Sequence, residues 1–286
     1  MYYAKEKGRN NYQFFNSNMN ARAVERQYIE ANIRNALDRK EFVLHYQPKV
    51  NLGTGAIAEA EALLRWRSGE DEPVLPSRFI SIAEDSGLIV PIGRWVLREA
   101  CRQAKKWHDS NLGPLPIAVN ISALEFSQTN FYESVRTILE ETGLAPEFLE
   151  LEITEGVLMR DVVSSAEILK KLKTMGVQLA VDDFGTGYSS LSYLKQFPID
   201  VLKIDQSFVS DILSCDDEGI IVSAVIGMGN SLKMRVVAEG VENLIQLAFL
   251  KARNCDEGQG YLFSQPIAAE KFTELLTQDA QLVSTV

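Results

Sequence analysis

Histidine, cysteine, surplus positive charge and long apolar runs are scarce in this chain. Its 286 residues include two histidines and three cysteines. Cys101, Cys215 and Cys255 lie far apart, are odd in number and fit no CxxC spacing. A disulfide framework and a thiolate metal centre are therefore excluded, and the cysteines read as ordinary thiols of a reducing compartment. His45 and His108 fall in a strand and a helix pattern, where structural roles are expected rather than metal ligation. No apolar run is long enough to cross a bilayer. The start, Met1 to Asn11, is polar and aromatic, unlike a signal peptide, which predicts a cytoplasmic chain. A longer parent protein could still be membrane-tethered by other segments. Lysine and arginine number 29 against 39 acids, a net charge of −10. Such a surface repels polymeric nucleic acid and anionic membranes, so an anionic substrate would need bound cations to enter. No GKS or GKT follows any glycine pair, which removes a P-loop.

What is present is a rich supply of alternating strand and helix signals. With 46% hydrophobic residues the chain can bury one large α/β core or two small ones. Residues 1–20 are too short to bury their aromatics alone and read as the tail of an upstream domain. Residues 21–40 predict a connecting helix with Ile29, Ile33, Ala36 and Leu37 on one face, and 41–286 form the main domain. There, strand runs begin at Phe42, Ala56, Ile117, Phe148, Gln178, Val201, Val236 and Gly260. Helices are expected at Phe79–Asp85 and Ile92–His108, with apolar faces of Leu169, Leu172 and Met175 in one later helix and Ile220, Ile221, Ala224, Val225 and Met228 in another. Repeated strand–helix units predict a closed (β/α)8 barrel, with a doubly wound open sheet as runner-up. The close strand pair within 41–66 suggests that one strand runs antiparallel.

The chain is organised around Val181-Asp182-Asp183-Phe184-Gly185-Thr186-Gly187-Tyr188-Ser189-Ser190-Leu191. An apolar strand climbs into two adjacent carboxylates, then a glycine-punctuated loop read as a flexible gate, then a helix start at Ser189 and Ser190. Adjacent aspartates at a buried strand end call for a neutralising cation; the bland alternative is a solvated acidic turn. The pattern recurs. Strand runs give out at Gln47, Glu61, Asn120, Glu152, Asp182 with Asp183, Lys203, Glu239 and Gln259. In a barrel these positions converge on the C-terminal rim. Oxygen-only donors favour Mg²⁺ or Mn²⁺ over zinc. Lys203 fits a neutralising partner for the acids, and equally a group that orients water or stabilises phosphate charge.

These residues also resemble a family. Glu59-Ala60-Glu61-Ala62-Leu63-Leu64-Arg65-Trp66 carries the E-A-L signature of the EAL-domain cyclic-di-GMP phosphodiesterases. Supporting it are Tyr46-Gln47-Pro48, Val119-Asn120-Ile121-Ser122, Glu152-Ile153-Thr154-Glu155, Asp182 to Gly187, Leu202-Lys203-Ile204-Asp205, Ala238-Glu239-Gly240-Val241-Glu242 and Gln259 to Phe263. The resemblance covers roughly residues 25–275, while 1–16 resemble the end of a GGDEF domain. It implies a modified barrel with one antiparallel strand, and hydrolysis of cyclic di-GMP to linear pGpG with a pair of Mg²⁺ or Mn²⁺ ions. Glu61, Asn120, Glu152 and Asp182 would hold one metal. Asp182, Asp183 and Glu239 would serve the second, with Glu239 as general base and Lys203 positioning water. Gln47, Arg65, Asp205 and Gln259 would meet the dinucleotide; Glu155 would brace the gate loop, with Glu242 a further rim acid. A homodimer and upstream GGDEF or sensor domains are the implied partners. Ser81, Gln206 and Asn254 stand where many members have proline, arginine and glycine. The competing readings are a module that binds cyclic di-GMP without cutting it and, from barrel chemistry alone, proton abstraction beside a carboxylate with Lys203 as base.

Overall fold

The computed structural model describes residues 17–67, 74–186, 194–213 and 219–278. Residues 1–16 of the expected upstream-domain tail, Cys215 and the expected helix start at Ser189 and Ser190 lie outside the described residues. The chain divides into two compact units, Met1–Val43 with Arg65–Ile89, and Leu44–Leu64 with Val90–Val286.

In the first unit, helix α1 (Ser17–Ala36) buries Ile29, Ile33 and Ala36, the expected stripe. It ends four residues before the expected Lys40 because residues 37–40 form a turn closed by Lys40 at φ 56°. Helix α2 (Pro76–Asp85) starts on a proline, which has no amide hydrogen to leave unpaired, and buries Phe79, Ile82 and Ala83. Phe79 meets Trp66 edge-on with ring centroids 5.7 Å apart.

The second unit is the barrel. Its strands are β1 (Phe42–Asn51), β2 (Ile57–Trp66), β3 (Ile117–Ile121), β4 (Leu149–Thr154), β5 (Gln178–Phe184), β6 (Val201–Ile204), β7 (Arg235–Ala238) and β8 (Glu257–Gly258). Strands β2 to β8 follow in order, β8 pairs β1, and β1 returns to β2, closing the ring. Neighbours from β2 to β8 are parallel, and β1 is antiparallel to β8, as the hairpin signal predicts. A ninth strand, β9 (Ile267–Ala268), pairs with β1 and has no sequence forecast. The open-sheet alternative is thereby excluded.

Three expectations need correction. Gln47 and Glu61 do not end their strands; each ten-residue hairpin strand runs on past them. The last barrel strand is Glu257–Gly258, not Gly260–Phe263. There the chain turns, with Phe263 N bonded to Gly260 O. Helix Gly219–Leu232 packs through Val222, Val225, Ile226 and Gly229, leaving Ile220 and Ile221 exposed. That helix is apolar nearly all round, so periodicity could not select its inner face.

Candidate active site

Alternation along the strands sets the site, because residues two apart share a face. Asp182, Lys203 and Glu239 each stand two positions beyond Ala180, Val201 and Val237, which form a wholly buried apolar cluster. Glu61, Glu152 and Gln259 likewise stand two beyond Glu59, Glu150 and Glu257, all buried. Strand β1 runs the other way, so its deeper residue, Lys49, follows Gln47. Half of the lower layer is thus apolar and half is charged, and the upper layer carries the residues singled out in the sequence.

At the centre of the upper layer is Lys203, only 1% exposed. Its Nζ lies 2.7 Å from Glu152 Oε2, 2.7 Å from Glu239 Oε1, 3.1 Å from Asp182 Oδ1 and 4.0 Å from Glu61 Oε1. Burial alone would lower the ammonium, but Asp182, Glu152, Glu239 and Glu61 hold it well above the ordinary lysine value. Asn120, exposed beside Glu152 in register, donates from Nδ2 to Glu61 Oε1 at 2.6 Å. Gln259 donates from Nε2 to Glu61 Oε2, and to Gln47 Oε1 at 2.9 Å. Gln47 in turn donates to Ser264 O at 2.9 Å.

Asp182 and Asp183 meet the same space although neighbours on a regular strand face opposite ways. The β5–β6 register shifts between Val181 and Phe184, and Asp183 takes the left-handed region at φ 53°. Aspartate tolerates that region better than most side chains. Oxygens of Asp182, Asp183 and Glu239 come within 4.8 Å of one another. Burial, then the charges of Asp182 and Asp205, push Asp183 up to about 6. Burial, with Asp182 and Glu61 adding repulsion against the pull of Lys203, pushes Glu239 up to about 8. Glu61 rises to about 7 through burial and Glu152. Glu152 goes the other way: burial opposes ionisation, but Lys203 and Lys49 together hold it at about 2.

The donor set fits a hard divalent cation. Glu61, Glu152, Asp182 and Glu239 lie around the Lys203 ammonium, with Lys49 also reaching Glu152, so acids outnumber the lysines that meet them and every donor is oxygen. Part of the neutralisation assigned to ions in the sequence reading is done here by Lys203.

Other forecast residues take outlying places. Asp205 caps the helix Gln206–Ser210, accepting from Ser207 N at 2.9 Å, and hydrogen-bonds Asp183. Glu155 is buried at the first position of the turn Glu155–Leu158; the loop it was expected to brace runs beyond Thr186 and out of the described residues. Glu242 is exposed, its amide bonded to Gln246 Oε1, and stands apart from the acids. Arg65, half-buried on β2, belongs to the first unit. Of the departures, Asn254 sits at φ 56°, which asparagine accepts in place of glycine. Ser81 is exposed on α2, and Gln206 packs under Gly240, where a Cβ would come within 2.6 Å of Gln206 Cβ.

Sequence reasoning missed the charged lower layer of Lys49, Glu59, Glu150 and Glu257, with Arg235 below it. The signal was available by stepping two residues down from Gln259, Glu61 and Glu152, and two on from Gln47.

A mixed eight-strand barrel with one acid-lined mouth defines a modified (β/α)8 barrel with an oxygen-rich site. Residues 30–266 match the EAL domain model, and the chain belongs to that family. It is 46% identical over 271 residues to the bifunctional diguanylate cyclase/cyclic di-GMP phosphodiesterase MucR of Pseudomonas aeruginosa, covering 95% of this chain and 40% of MucR. To the cyclic di-GMP phosphodiesterase PdeR of Escherichia coli it is 40% identical over 272 residues, covering 95% of this chain and 41% of PdeR. The chain thus spans about two fifths of these relatives. The solved PaMucR phosphodiesterase in complex with c-di-GMP superposes with a TM-score of 0.84 at 45% identity, over 86% of this chain and 99% of that one.

Proposed function

We propose that this chain hydrolyses one phosphodiester bond of cyclic di-GMP, giving linear pGpG, with Mg²⁺ or Mn²⁺ as cofactor. The observation that carries the reading is the Lys203 centre, which ties Glu152, Asp182 and Glu239 into one buried, net-negative cluster. Family membership and the phosphodiesterase names of the relatives support the substrate.

Glu61, Asn120, Glu152 and Asp182 would hold one cation, and Asp182, Asp183 and Glu239 a second. Bound there, such ions would neutralise phosphate charge and supply Lewis-acid chemistry for phosphodiester hydrolysis. Glu239 receives the proton of the attacking water. Its carboxylate, held 2.7 Å from the Lys203 ammonium, is fixed in place for that role. Lys203 keeps Glu239 in place and is near enough to orient the water. Gln47 and Gln259, already linked through Glu61, offer amides to the dinucleotide, joined by Arg65 and Asp205. Asp183 leads into the glycine loop read as a gate, which Glu155 would brace, and Glu242 would be a further acid of the barrel rim.

The same reading takes residues 1–16 as the remnant of a GGDEF domain, the helix Ser17–Ala36 as the connector and 41–286 as the phosphodiesterase, within a longer cytoplasmic or membrane-tethered homodimer. Among the described residues no helix is long and apolar enough to cross a membrane. The test is chromatographic detection of pGpG from cyclic di-GMP with Mg²⁺, with Mn²⁺ and with EDTA. Product in both metals and none in EDTA is expected. Tight dinucleotide binding without product in either metal would make this a binding module instead.

A further inference from the structure

Beneath Glu152 lies a second lysine that the mechanism above does not use. Lys49 is wholly buried. Its Nζ donates to Glu59 Oε2 at 2.8 Å and to Glu150 Oε1 at 2.6 Å, and its third contact is Glu152 Oε1 at 2.8 Å. The other oxygen, Glu152 Oε2, accepts from Lys203 at 2.7 Å. One carboxylate thus meets two ammoniums: Lys203 hydrogen-bonds one oxygen, and Lys49 faces the other as an ion pair without a hydrogen bond. Lys203 holds it in the upper layer, among the acids of the mouth. Lys49 holds it in the lower layer, where Arg235 extends the network to Glu150 at 2.9 Å and Glu257 at 2.9 Å. Stabilising a barrel does not require this arrangement, since apolar side chains fill an interior at least as well as buried ion pairs. The opposite half of the same layer is filled that way, by Ala180, Val201 and Val237. The charged half lies under Gln47, Glu61, Glu152 and Gln259.

We propose that Lys49 is a specificity-determining positioning residue: by occupying Glu152 Oε1 it leaves that carboxylate one oxygen for a metal at the mouth, and so favours Mg²⁺ or Mn²⁺ over Ca²⁺. The inference rests on the reading of Glu152 as a metal ligand. A cation arriving at the mouth competes with Lys203 for Oε2, on the same layer as the other donors. It does not compete with Lys49, which is enclosed by three carboxylates and has nowhere to retreat. Mg²⁺ and Mn²⁺ are served by single oxygens in octahedral geometry. Ca²⁺ takes more oxygens and commonly both from one carboxylate. Freeing Oε1 therefore helps Ca²⁺ more than Mn²⁺.

The test is calorimetric titration of Mn²⁺ and of Ca²⁺ into the substrate-free chain. The proteins compared are wild type, Lys49→Met, Lys49→Met with Glu59→Met, and Glu59→Gln. The double substitution removes the ammonium together with one of its glutamate partners, so the measurement survives if Lys49→Met alone fails to fold. Wild type is expected to prefer Mn²⁺. Loss of Lys49 is expected to shift the Ca²⁺-to-Mn²⁺ affinity ratio toward calcium by about tenfold, one bidentate contact's worth. Glu59→Gln alters a hydrogen-bond partner of Lys49 without freeing Glu152, and its ratio should match wild type. A general electrostatic or purely structural role for Lys49 moves both affinities, or the melting temperature, and leaves the ratio fixed; that result in a folded variant overturns the proposal. Failure of wild type to bind either ion overturns the metal reading itself, and this inference with it.

Discussion

Lys203 Nζ sits 2.7 Å from Glu239 Oε1, so the proposed base is held by the same ammonium that binds Glu152 and Asp182. Glu239→Gln preserves shape and a polar contact to Lys203 but cannot accept a proton from water. Turnover should fall by about 10²–10⁴, the usual worth of a general base. Binding of cyclic di-GMP, measured separately by calorimetry, should stay within a few-fold of wild type. Near-normal product formation by this variant would move the base elsewhere.

Asp183 combines a charge with an unusual backbone, and two substitutions separate them. Asp183→Asn keeps a side chain that accepts φ 53° and removes the carboxylate. Its melting temperature should be close to wild type while Mn²⁺ affinity and turnover drop together. Asp183→Val adds a β-branched residue in the left-handed region, at an extra cost of about 1–2 kcal/mol in stability. Equal stability of the two variants would mean that the bulge relaxes without penalty.

Much of this was readable from residue order, and the unread part has physical causes. The acids at 61, 152, 182, 183 and 239 stood out because charge at the edge of an apolar run is costly. The antiparallel β1 followed from a five-residue gap between two strand patterns. By contrast, β8 and β9 are each two residues long, so neither leaves a local periodicity. The lower charged layer went unread because Glu59, Glu150 and Lys49 sit among apolar neighbours, where alternation usually means one wet face. Here both faces are buried, and the polar one is the barrel interior. The inner face of the helix Gly219–Leu232 was misassigned because glycine, not leucine, marks its closest approach: a Cβ on Gly229 would come within 2.3 Å of Val236 Cγ2.

Gly260 is the position where a single methyl group should undo the barrel closure. A Cβ there would lie 2.2 Å from Val241 O and 2.3 Å from Val241 N, both backbone atoms with no rotamer to yield. The same segment carries the bonds from Val241 N to Gln259 O and from Leu262 N to Val241 O, which fix Gln259 beside Glu61. Gly260→Ala is expected to destabilise by about 3 kcal/mol or more, at the top of the range for overpacking. Dinucleotide affinity should fall as well, because Gln259 moves with the turn. Denaturant unfolding checks the first, calorimetry the second; a shift below about 1 kcal/mol would show that the turn adjusts.

The raised acids make the metal-free chain sensitive to pH in a stated direction. Glu59 is held at about 8, Glu61 at about 7 and Glu239 at about 8, each chiefly by burial, against 4.5 for an unperturbed glutamate. Between those values the folded chain carries protons that the unfolded chain has lost, so stability is full below the unfolded value and drains away as pH rises toward 8. Glu152, held at about 2, contributes stability that is lost only in strong acid and does not offset the trend in this window. In EDTA the melting temperature should therefore fall from pH 6 to pH 8.5, with a loss on the order of 1–3 kcal/mol. Mn²⁺ must displace the same protons, so its apparent affinity should climb over the same interval and its stabilising effect should be larger at pH 8.5 than at pH 6. Thermal melts across that range, with EDTA and with Mn²⁺, read both trends at once. A metal-free melting temperature that rose with pH would mean that these carboxyls are already ionised in the folded chain, and that Lys203 and Lys49 neutralise the cluster without protons.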